Sequence, residues 1–169
     1  MAETKTKKGK ADETPQPLDY PFYQIYRQEL EGGKPLLVSS GRGRTTCSYF
    51  SPDGDRLLFA SSHLDPMLEK TEQAEIQQQA EDAKAGRRRR YQWDFDPHMD
   101  MFETDLNGKI LKRLTDAPGY DAEGAYSADG ELIAFCSDRD GDPDLYVMNS
   151  DGTGLRQLTN EPGYDGGPW

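Results

Sequence analysis

The sequence LTDAPGYD at residues 114–121 returns as LTNEPGYD at residues 158–165, 44 positions further along the chain. The turn sequence DLNG at 105–108 has a counterpart, NSDG at 149–152, at the same spacing. Two different motifs that recur at the same spacing indicate a duplicated unit of this length. A repeat of this length is typical of propellers and other repeat architectures. The sequence therefore predicts a repeat protein.

A second set of matching motifs is separated by 76 positions instead of 44. SPDG at 51–54 matches SADG at 127–130, and ELEG at 29–32 matches DLNG at 105–108. The two shifts differ by 32 residues, which is the length expected for an insertion in the earlier copy. We place this insertion at residues 66–97.

Each copy contains short apolar runs separated by turn sequences. In the later copy, SADG at 127–130 precedes LIAF at 132–135, and LYVM at 145–148 precedes a further turn. Gly accepts a positive φ, and Asp bonds to the backbone two residues on, so these are hairpin turns. Four strands at intervals of about ten residues are the pattern of a propeller blade. The predicted fold class is all-β, with propeller blades of four antiparallel strands and one helical insertion.

The repeats divide the chain into segments. These are a polar tail at 1–19 that should be disordered, the outer strands of a partial blade at 20–45, a full blade with the insertion at 46–121, a full blade at 122–165, and the start of another at 166–169. A closed propeller needs about four to eight blades, so about two and a half cannot close a ring. The chain is expected to be a piece of a longer protein, or else to form a homo-oligomer through its open blade edges.

The insertion is expected to be helical. Asp65 and Pro66 suit an N-cap and first turn, and Gly86 suits a helix end. The residues between them are rich in helix formers and have only a thin apolar stripe. We predict a helix of about five turns that lies lightly on the propeller or projects from it.

Charge and composition exclude several classes of function. With 20 Lys and Arg against 31 Asp and Glu, the net charge is −11, which argues against nucleic acid or an anionic membrane as the main partner. No apolar run is long enough to insert into a membrane. No secretory signal is visible at the N-terminus, which leaves a cytoplasmic protein or a chain whose natural start is missing.

No catalytic motif accompanies the repeats. The sequence lacks a Gly-x-Ser-x-Gly elbow, a Walker loop, GxGxxG, HExxH and a paired CxxC. The only histidines, His63 and His98, and the only cysteines, Cys47 and Cys136, are expected to be structural. The sequence therefore predicts a protein that is not an enzyme and has no cofactor.

Four aspartates at alternate positions form a candidate metal site. They are Asp138, Asp140, Asp142 and Asp144. Such spacing can wrap Ca²⁺, which takes six to eight oxygen ligands, but the twelve-residue loop with a terminal Glu is missing. Aspartates at turns also accept hydrogen bonds from backbone N–H groups. We favour this second role and keep Ca²⁺ as the alternative.

Basic and aromatic residues near the end of the insertion are candidate partner contacts. They are Arg87, Arg88, Arg89, Arg90, Tyr91, Trp93 and Phe95. Because the chain is acidic overall, the arginines are expected to neutralise the acids of the helix. The aromatics are expected to pack the insertion onto the blade, with an exposed protein-binding patch as the alternative.

The repeats resemble those of TolB-type, WD40-like propellers. The resemblance rests on YFSPDG at 49–54 with LLFAS at 57–61, AYSADG at 125–130 with IAFCSDRD at 133–140, and LYVMNSDG at 145–152 with LRQLT at 155–159. It covers about residues 20–169 apart from the insertion. It implies a six-bladed, non-catalytic propeller of the periplasm or cell envelope that binds protein partners.

The resemblance leaves two functions open. The first is a scaffold for protein–protein interaction, with a partner bound by loops at the propeller mouth or by the insertion. The second is the N-terminal gating propeller of a prolyl oligopeptidase-like serine peptidase, because such peptidases carry similar blades. The catalytic domain would then lie outside this chain. Ala128, in place of the usual Pro, and the insertion depart from the family repeat.

Overall fold

The computed structural model describes residues 20–90 and 94–168. The predicted disordered tail at 1–19 lies outside the described residues, as do residues 91–93 and Trp169. In chain order the elements are β1 (Tyr26–Arg27), β2 (Leu36–Leu37), β3 (Thr45–Phe50), β4 (Arg56–Ser61), α1 (Leu68–Lys84), β5 (Asp100–Asp105), β6 (Ile110–Arg113), β7 (Asp121–Tyr126), β8 (Leu132–Ser137), β9 (Asp144–Asn149) and β10 (Arg156–Gln157).

The strands form three antiparallel sheets in which sequence neighbours are paired. A two-stranded sheet, β1-β2, precedes two four-stranded sheets with the orders β3-β4-β5-β6 and β7-β8-β9-β10. Helix α1 lies in the connection between β4 and β5. The predicted all-β class with one helical insertion is confirmed.

The two four-stranded sheets share one register as well as one strand order. Ser61 faces Asp100 across β4 and β5, and Ser137 faces Asp144 across β8 and β9. These pairs occupy matching positions of the two repeats, although the first pair is separated by the insertion and the second by a short loop. The insertion therefore leaves the sheet that carries it unchanged.

The first strand of each four-stranded sheet contains a bulge at the same place. Register shifts occur between Thr46 and Tyr49 on β3 and between Ala122 and Ala125 on β7. Within these bulges Cys47 has φ +50° and Glu123 has φ +60°. A left-handed backbone costs a non-glycine residue about 1–2 kcal/mol. Both repeats hold this strain where β3 and β7 pack beside each other.

The main hydrophobic core lies between the two four-stranded sheets. Strand β7 packs against β3, β4 and β5, and Leu58, Met101, Ile133 and Phe135 are fully buried in the resulting cluster. Burying such side chains contributes about 1.5–3 kcal/mol each. This core fixes how the two blades lie against each other.

Gly124 on β7 marks a close approach between the sheets. A Cβ atom at this position would lie 2.0 Å from Met101 Cε and 2.7 Å from Leu58 Cδ2. Neither Met101 nor Leu58 has any exposed surface into which it could move. A residue without a side chain is therefore required here.

The helix begins later than the sequence predicts. Asp65 accepts a hydrogen bond from the Met67 backbone N–H (2.7 Å) and one from the Thr71 hydroxyl (3.2 Å), and α1 starts only at Leu68. Asp65 thus organises the turn before the helix instead of capping it, so the predicted N-cap is wrong by two residues. The cause is local, because the Asp65 side chain stabilises a turn that includes Pro66.

The helix ends as predicted. Gly86 has φ +63°, its N–H donates to Ala83 O, and the Arg87 N–H donates to Asp82 O. This pair of bonds is the Schellman arrangement, which satisfies free carbonyls at a helix end. Of the helix residues, Leu68, Glu72 and Asp82 are buried, whereas Ile76 is half exposed. Two of the three buried anchors are therefore acidic.

Candidate functional site

The long connections of the two four-stranded sheets lie at one end of the strands. Neighbouring strands run in opposite directions, so one end of the sheets carries the β4–β5 connection, the β8–β9 connection and the first residues of β3 and β7. We call this end the insertion face; its segments are 38–44, 62–99, 114–120 and 138–143. The opposite end carries hairpin turns. Long connections on a rigid scaffold are where binding residues concentrate, so the insertion face is the candidate site.

A pocket of about 530 Å³ opens on the insertion face. Thr45, Met99 and Tyr120, all buried, line its base. Its walls come from residues 21–23, from helix α1 and from the end of the insertion. Ligand pockets in proteins commonly measure about 300–1,000 Å³. We call this cavity the insertion pocket.

Arg44 joins three segments at the edge of the insertion pocket. Its Nε lies 3.0 Å from Asp94 Oδ2, and its Nη1 donates to Asp96 Oδ2 over 3.0 Å. The guanidinium carbon also lies 4.5 Å from the centre of the Phe22 ring, within the range of a cation–π contact. Arg44 therefore holds the end of the insertion and the segment before β1 against the start of β3.

Helix α1 is attached by a cluster of polar side chains that we call the latch, made of Tyr20, Arg42 and Glu72. Arg42 Nη2 donates to Glu72 Oε2 over 2.5 Å, and the Tyr20 hydroxyl donates to Glu72 Oε1 and accepts from the Gly43 N–H. The Arg42 hydrogen bond lowers the pKa of Glu72. Burial, reinforced by the Glu72 hydrogen bond, raises the pKa of Tyr20 to about 12. The latch is thus charged on Glu72 and Arg42 at neutral pH.

Two of the four consecutive arginines neutralise acids of the helix. Arg89 Nε donates to Asp82 Oδ2 (2.5 Å), and its Nη1 donates to both Glu75 oxygens (2.8 and 3.0 Å). Arg87 Nε donates to Asp82 Oδ1 (2.9 Å). The Arg89 hydrogen bond, helped by Arg87, lowers the pKa of Asp82. Arg87 and Arg89 therefore take the neutralising role that the sequence favours.

The other predicted partner contacts are placed differently. Arg88 and Arg90 are exposed and form no ion pair within the part of the chain that the structure describes, and Arg90 lines the insertion pocket. Phe95 is 42% exposed and packs edge-on against Tyr120, with ring centroids 5.0 Å apart. Tyr91 and Trp93 lie outside the described residues. A partner-binding role for these residues stays a prediction.

The four aspartates of the candidate Ca²⁺ site accept hydrogen bonds from protein donors. Asp138 accepts from Tyr120 N (2.6 Å), Asp140 from Gln157 Nε2, Asp142 from Gly163 N (2.8 Å), and Asp144 from Thr159 Oγ1 (2.9 Å). Across residues 20–90 and 94–168, no group of three or more His, Cys, Asp or Glu is arranged to hold a metal ion. The contacts fit the hydrogen-bonding role, and Ca²⁺ binding stays a prediction.

The two histidines make structural contacts. His63 Nδ1 lies 3.1 Å from Ser61 Oγ, and its ring centroid lies 4.4 Å from that of Phe102. Burial, with a smaller contribution from Arg113, lowers the pKa of His63. Ser61 is fully buried, so a substrate cannot reach its hydroxyl. His98 Nε2 lies 3.5 Å from Asp65 Oδ1.

Sequence reasoning missed Glu123, a buried carboxylate beside the insertion face. It is 1% exposed and accepts hydrogen bonds from Tyr164 Oη (2.7 Å to each oxygen), Tyr120 Oη (3.3 Å) and Gly167 N (2.6 Å). Burial and the Glu123 hydrogen bond raise the pKa of Tyr164. The repeated tyrosines were a visible signal, but the position matching Glu123 in the earlier repeat is Cys47. Repetition therefore could not indicate the acid.

Asp100 is a second buried acid that the sequence did not single out. Burial raises its pKa to about 6, although Arg113 Nη2 lies 2.7 Å from Asp100 Oδ2 and opposes the shift. The raised pKa means that the folded state binds the proton of Asp100 more tightly than the unfolded chain does. Its contribution to stability therefore grows as the pH falls from about 6 towards 4.

Two solved structures share the architecture described above. A protein described as TolB from Agrobacterium tumefaciens matches 82% of this chain with a TM-score of 0.56 and 21% sequence identity. TolB from Acinetobacter baumannii matches 83% with a TM-score of 0.55 and 24% identity. The chain has the TolB-type propeller fold. No family model matches the sequence.

The chain spans less than half of the length of either protein it matches. It spans 38% of the Agrobacterium protein and 27% of the Acinetobacter protein. The predicted resemblance to TolB-type propellers is confirmed at the level of fold. Helix α1, the one helix in the described ranges, is not long and apolar enough to cross a membrane.

The latch is a testable point of attachment for helix α1. Glu72→Gln removes the charge that Arg42 and Tyr20 bind, so backbone amides of residues 68–84 should exchange with deuterium at least about threefold faster. Because the pKa of Glu72 is lowered on folding, the attachment is present at neutral pH and is lost as the pH falls below the ordinary value of 4.5. Mass spectrometry of peptides from α1 measures both effects.

Glu81→Gln is the matched control for the latch. Glu81 lies on the same helix and is exposed, and its carboxylate accepts only from Gln77 Nε2 among the described residues (3.0 Å). Its exchange rates should equal those of the unaltered protein after correction for intrinsic rates. Equal protection of the helix in the Glu72 and Glu81 variants would show that the latch does not hold α1.

The Ca²⁺ alternative is tested by thermal unfolding. A cation would have to displace the protein donors of the aspartates at 138–144, so we expect the Tm in millimolar Ca²⁺ and in EDTA to agree within about 1 °C. The same comparison with Asp142→Asn controls for non-specific effects. A rise of several degrees with Ca²⁺ that disappears in this variant would contradict the expectation and establish a site.

Proposed function

We propose that this chain is a non-catalytic propeller scaffold that binds a protein partner at its insertion face. The observation that carries the proposal is the insertion itself. It adds 32 residues (66–97) to one connection, leaves the sheet register intact and forms a wall of the insertion pocket. A polar addition of this kind alters the surface without altering the fold, as expected of a recognition element.

The chemistry of the insertion face supports a protein as the partner. Phe95 and Tyr23 expose aromatic surface. Arg88 and Arg90 are exposed cations, and Arg90 lines the insertion pocket together with Tyr23. Aromatic and arginine side chains are the residues enriched in protein interfaces. The net charge of −11 disfavours nucleic acid. The scaffold therefore suits a protein that presents apolar and acidic groups.

A scaffold role also agrees with the sequence, which contains no catalytic motif. We further propose a location in the periplasm or cell envelope, which rests on the resemblance to TolB-type propellers. A cytoplasmic location is the alternative. Fractionation of cells that produce the full-length protein under its own start site distinguishes the two.

Affinity capture with and without the insertion tests the proposal. Deletion of residues 66–97 leaves a six-residue connection between β4 and β5, as long as the connection 138–143 in the other blade, so the blade has a natural template for folding. We expect the intact chain to retain a specific protein from cells of its source and the deletion variant to lose it. Phe50→Ala, at the opposite end, is the control and should retain it. Unchanged recovery by the deletion variant would remove the insertion from the binding surface.

A further inference from the structure

Residues 20–23, with the sequence Tyr-Pro-Phe-Tyr, lie between helix α1 and the loop that precedes β3, and they belong to no strand. We call them the strap. We propose that the groove in which the strap lies is a peptide-binding site, and that the strap is an internal ligand. A partner would displace it with a short uncharged segment that carries a tyrosine. This inference rests on the proposed function, because it specifies the segment that the insertion face accepts from its protein partner.

The groove exists because helix α1 stands away from the sheets. Within the described residues, α1 packs against no strand. Beyond the insertion and the turn before it, the hydrogen bonds of the helix go to the strap and to the loop before β3. Glu72 binds Tyr20 and Arg42. Gln79 Nε2 donates to the Pro21 carbonyl oxygen over 3.0 Å. The space between helix and blade is therefore shaped around one peptide segment, and ligand sites in proteins are usually preformed in this way.

The first tyrosine of the strap meets the most specific part of the groove. Its hydroxyl donates to Glu72 Oε1 and accepts from the Gly43 N–H over 2.5 Å. A hydroxyl suits this position because one oxygen atom both donates and accepts. A side chain without a hydroxyl would leave the Gly43 N–H without this acceptor, and an acidic side chain would face the charged Glu72 carboxylate. The groove therefore selects a tyrosine here and rejects an acidic residue.

The second aromatic residue of the strap adds an apolar and a cation–π contact. Phe22 packs edge-on against Tyr20, with ring centroids 6.1 Å apart. The centre of the Phe22 ring lies 4.5 Å from the guanidinium carbon of Arg44. Ion pairs with Asp94 and Asp96 hold this guanidinium in place. An aromatic residue two positions after the tyrosine is thus the second feature of the segment that the groove accepts.

The strap is placed so that it can be displaced. Its first three residues are only partly buried, and Tyr23 is 83% exposed. Segments with few buried apolar contacts open at a small fraction of the free energy of global unfolding. Gln24, directly after the strap, is anchored separately. Its side chain accepts from the Ser39 hydroxyl and the Gly41 N–H and donates to the Gly43 carbonyl oxygen. The strap can therefore leave the groove without separating β1 from β2.

Peptide binding to a chain with a loosened strap tests the inference. The probe is acetylated and amidated Tyr-Pro-Phe-Tyr, the sequence of the strap. The loosened chain is the full chain with Tyr20→Ala and Phe22→Ala, which empties the groove of both aromatic rings. By calorimetry we expect saturable binding with a Kd near or below about 1 mM. The unaltered chain should bind at least about tenfold more weakly, because its own strap competes at a high effective concentration.

A double-mutant cycle shows where the probe binds. A second probe, with phenylalanine in place of the first tyrosine, should bind the loosened chain about tenfold more weakly, because it lacks the hydroxyl. With Glu72→Gln added to the loosened chain, this ratio of affinities should fall at least about threefold, because the charged acceptor is gone. Glu81→Gln, an exposed acid on the same helix, is the control and should leave the ratio unchanged.

Several results would overturn the inference. These are no saturable binding of the tyrosine probe to the loosened chain up to about 10 mM, equal affinities of the loosened and unaltered chains, and equal ratios in the Glu72 and Glu81 variants. If the double substitution alters the circular dichroism spectrum, Tyr20→Phe replaces it and should raise the affinity of the chain for the probe at least about threefold. An unchanged affinity then contradicts the inference. Capture of a protein through the insertion would still support the proposed function after any of these failures.

Discussion

Replacing Gly124 with valine is expected to prevent native packing between the two four-stranded sheets. Replacing it with alanine should lower the free energy of unfolding by about 2–3 kcal/mol. Even one added carbon would lie 2.0 Å from Met101 Cε and 2.7 Å from Leu58 Cδ2, and both side chains are enclosed in the core. Urea unfolding followed by circular dichroism measures the loss.

A double-mutant cycle and a matched control make the Gly124 test specific. Met101→Ala alone should cost about 2–5 kcal/mol, because it leaves a cavity. Combined with Gly124→Ala it should cost less than the sum by at least about 1 kcal/mol, because the new methyl group occupies that cavity. Ser48 is the matching position of the earlier repeat and is exposed, so Ser48→Val should change stability by less than about 1 kcal/mol. Strict additivity of the pair would argue against a steric cause.

Removing the carboxylate of Glu123 is expected to have the next largest effect. Glu123→Ala should lower the free energy of unfolding by about 3 kcal/mol, because the Tyr164 hydroxyl and the Gly167 N–H lose a buried acceptor. Glu123→Gly should cost about 1 kcal/mol less than Glu123→Ala, because glycine adopts the observed φ of +60° without strain. Chemical unfolding of the two variants in parallel measures this difference.

Glu161→Ala is the control for Glu123, because Glu161 is an exposed acid in the repeated turn at 158–165, which also contains Tyr164. It should change stability by less than about 0.5 kcal/mol. If alanine and glycine at position 123 have equal effects, the bulge stores no strain. If neither destabilises the protein, the carboxylate does not join the end of the chain to β7.

The sequence reveals the blades because blade formation depends on local signals. Hairpin turns such as 127–130 are specified by Asp and Gly within four residues, and the repeat makes each turn visible twice. The end of α1 is equally local, since the positive φ of Gly86 lets the N–H groups of Gly86 and Arg87 both bond back to the last turn of the helix. The start was misplaced because Asp65 can serve a turn or a helix, and the sequence does not distinguish them.

The candidate site was less predictable because its contacts join distant positions. Arg42 and Glu72 are 30 residues apart, and Glu123 and Tyr164 are 41 apart. Neither pair is repeated, so periodicity carries no information about them. The sequence identified the arginines at 87–90 as a group. It does not show which of them pair with the helix and which are exposed, because this depends on the direction in which each side chain points.

The unchanged pairing of Ser61 with Asp100 has a practical consequence for engineering. The β4–β5 connection holds a 32-residue insertion without a register shift in the two strands. It should therefore accept foreign sequences of similar or greater length, because each doubling of the length of a flexible loop adds only about 0.6 kcal/mol to the free energy of closing it. Reporter peptides, epitopes or small binding domains grafted between His63 and Met99 would be displayed on a rigid base.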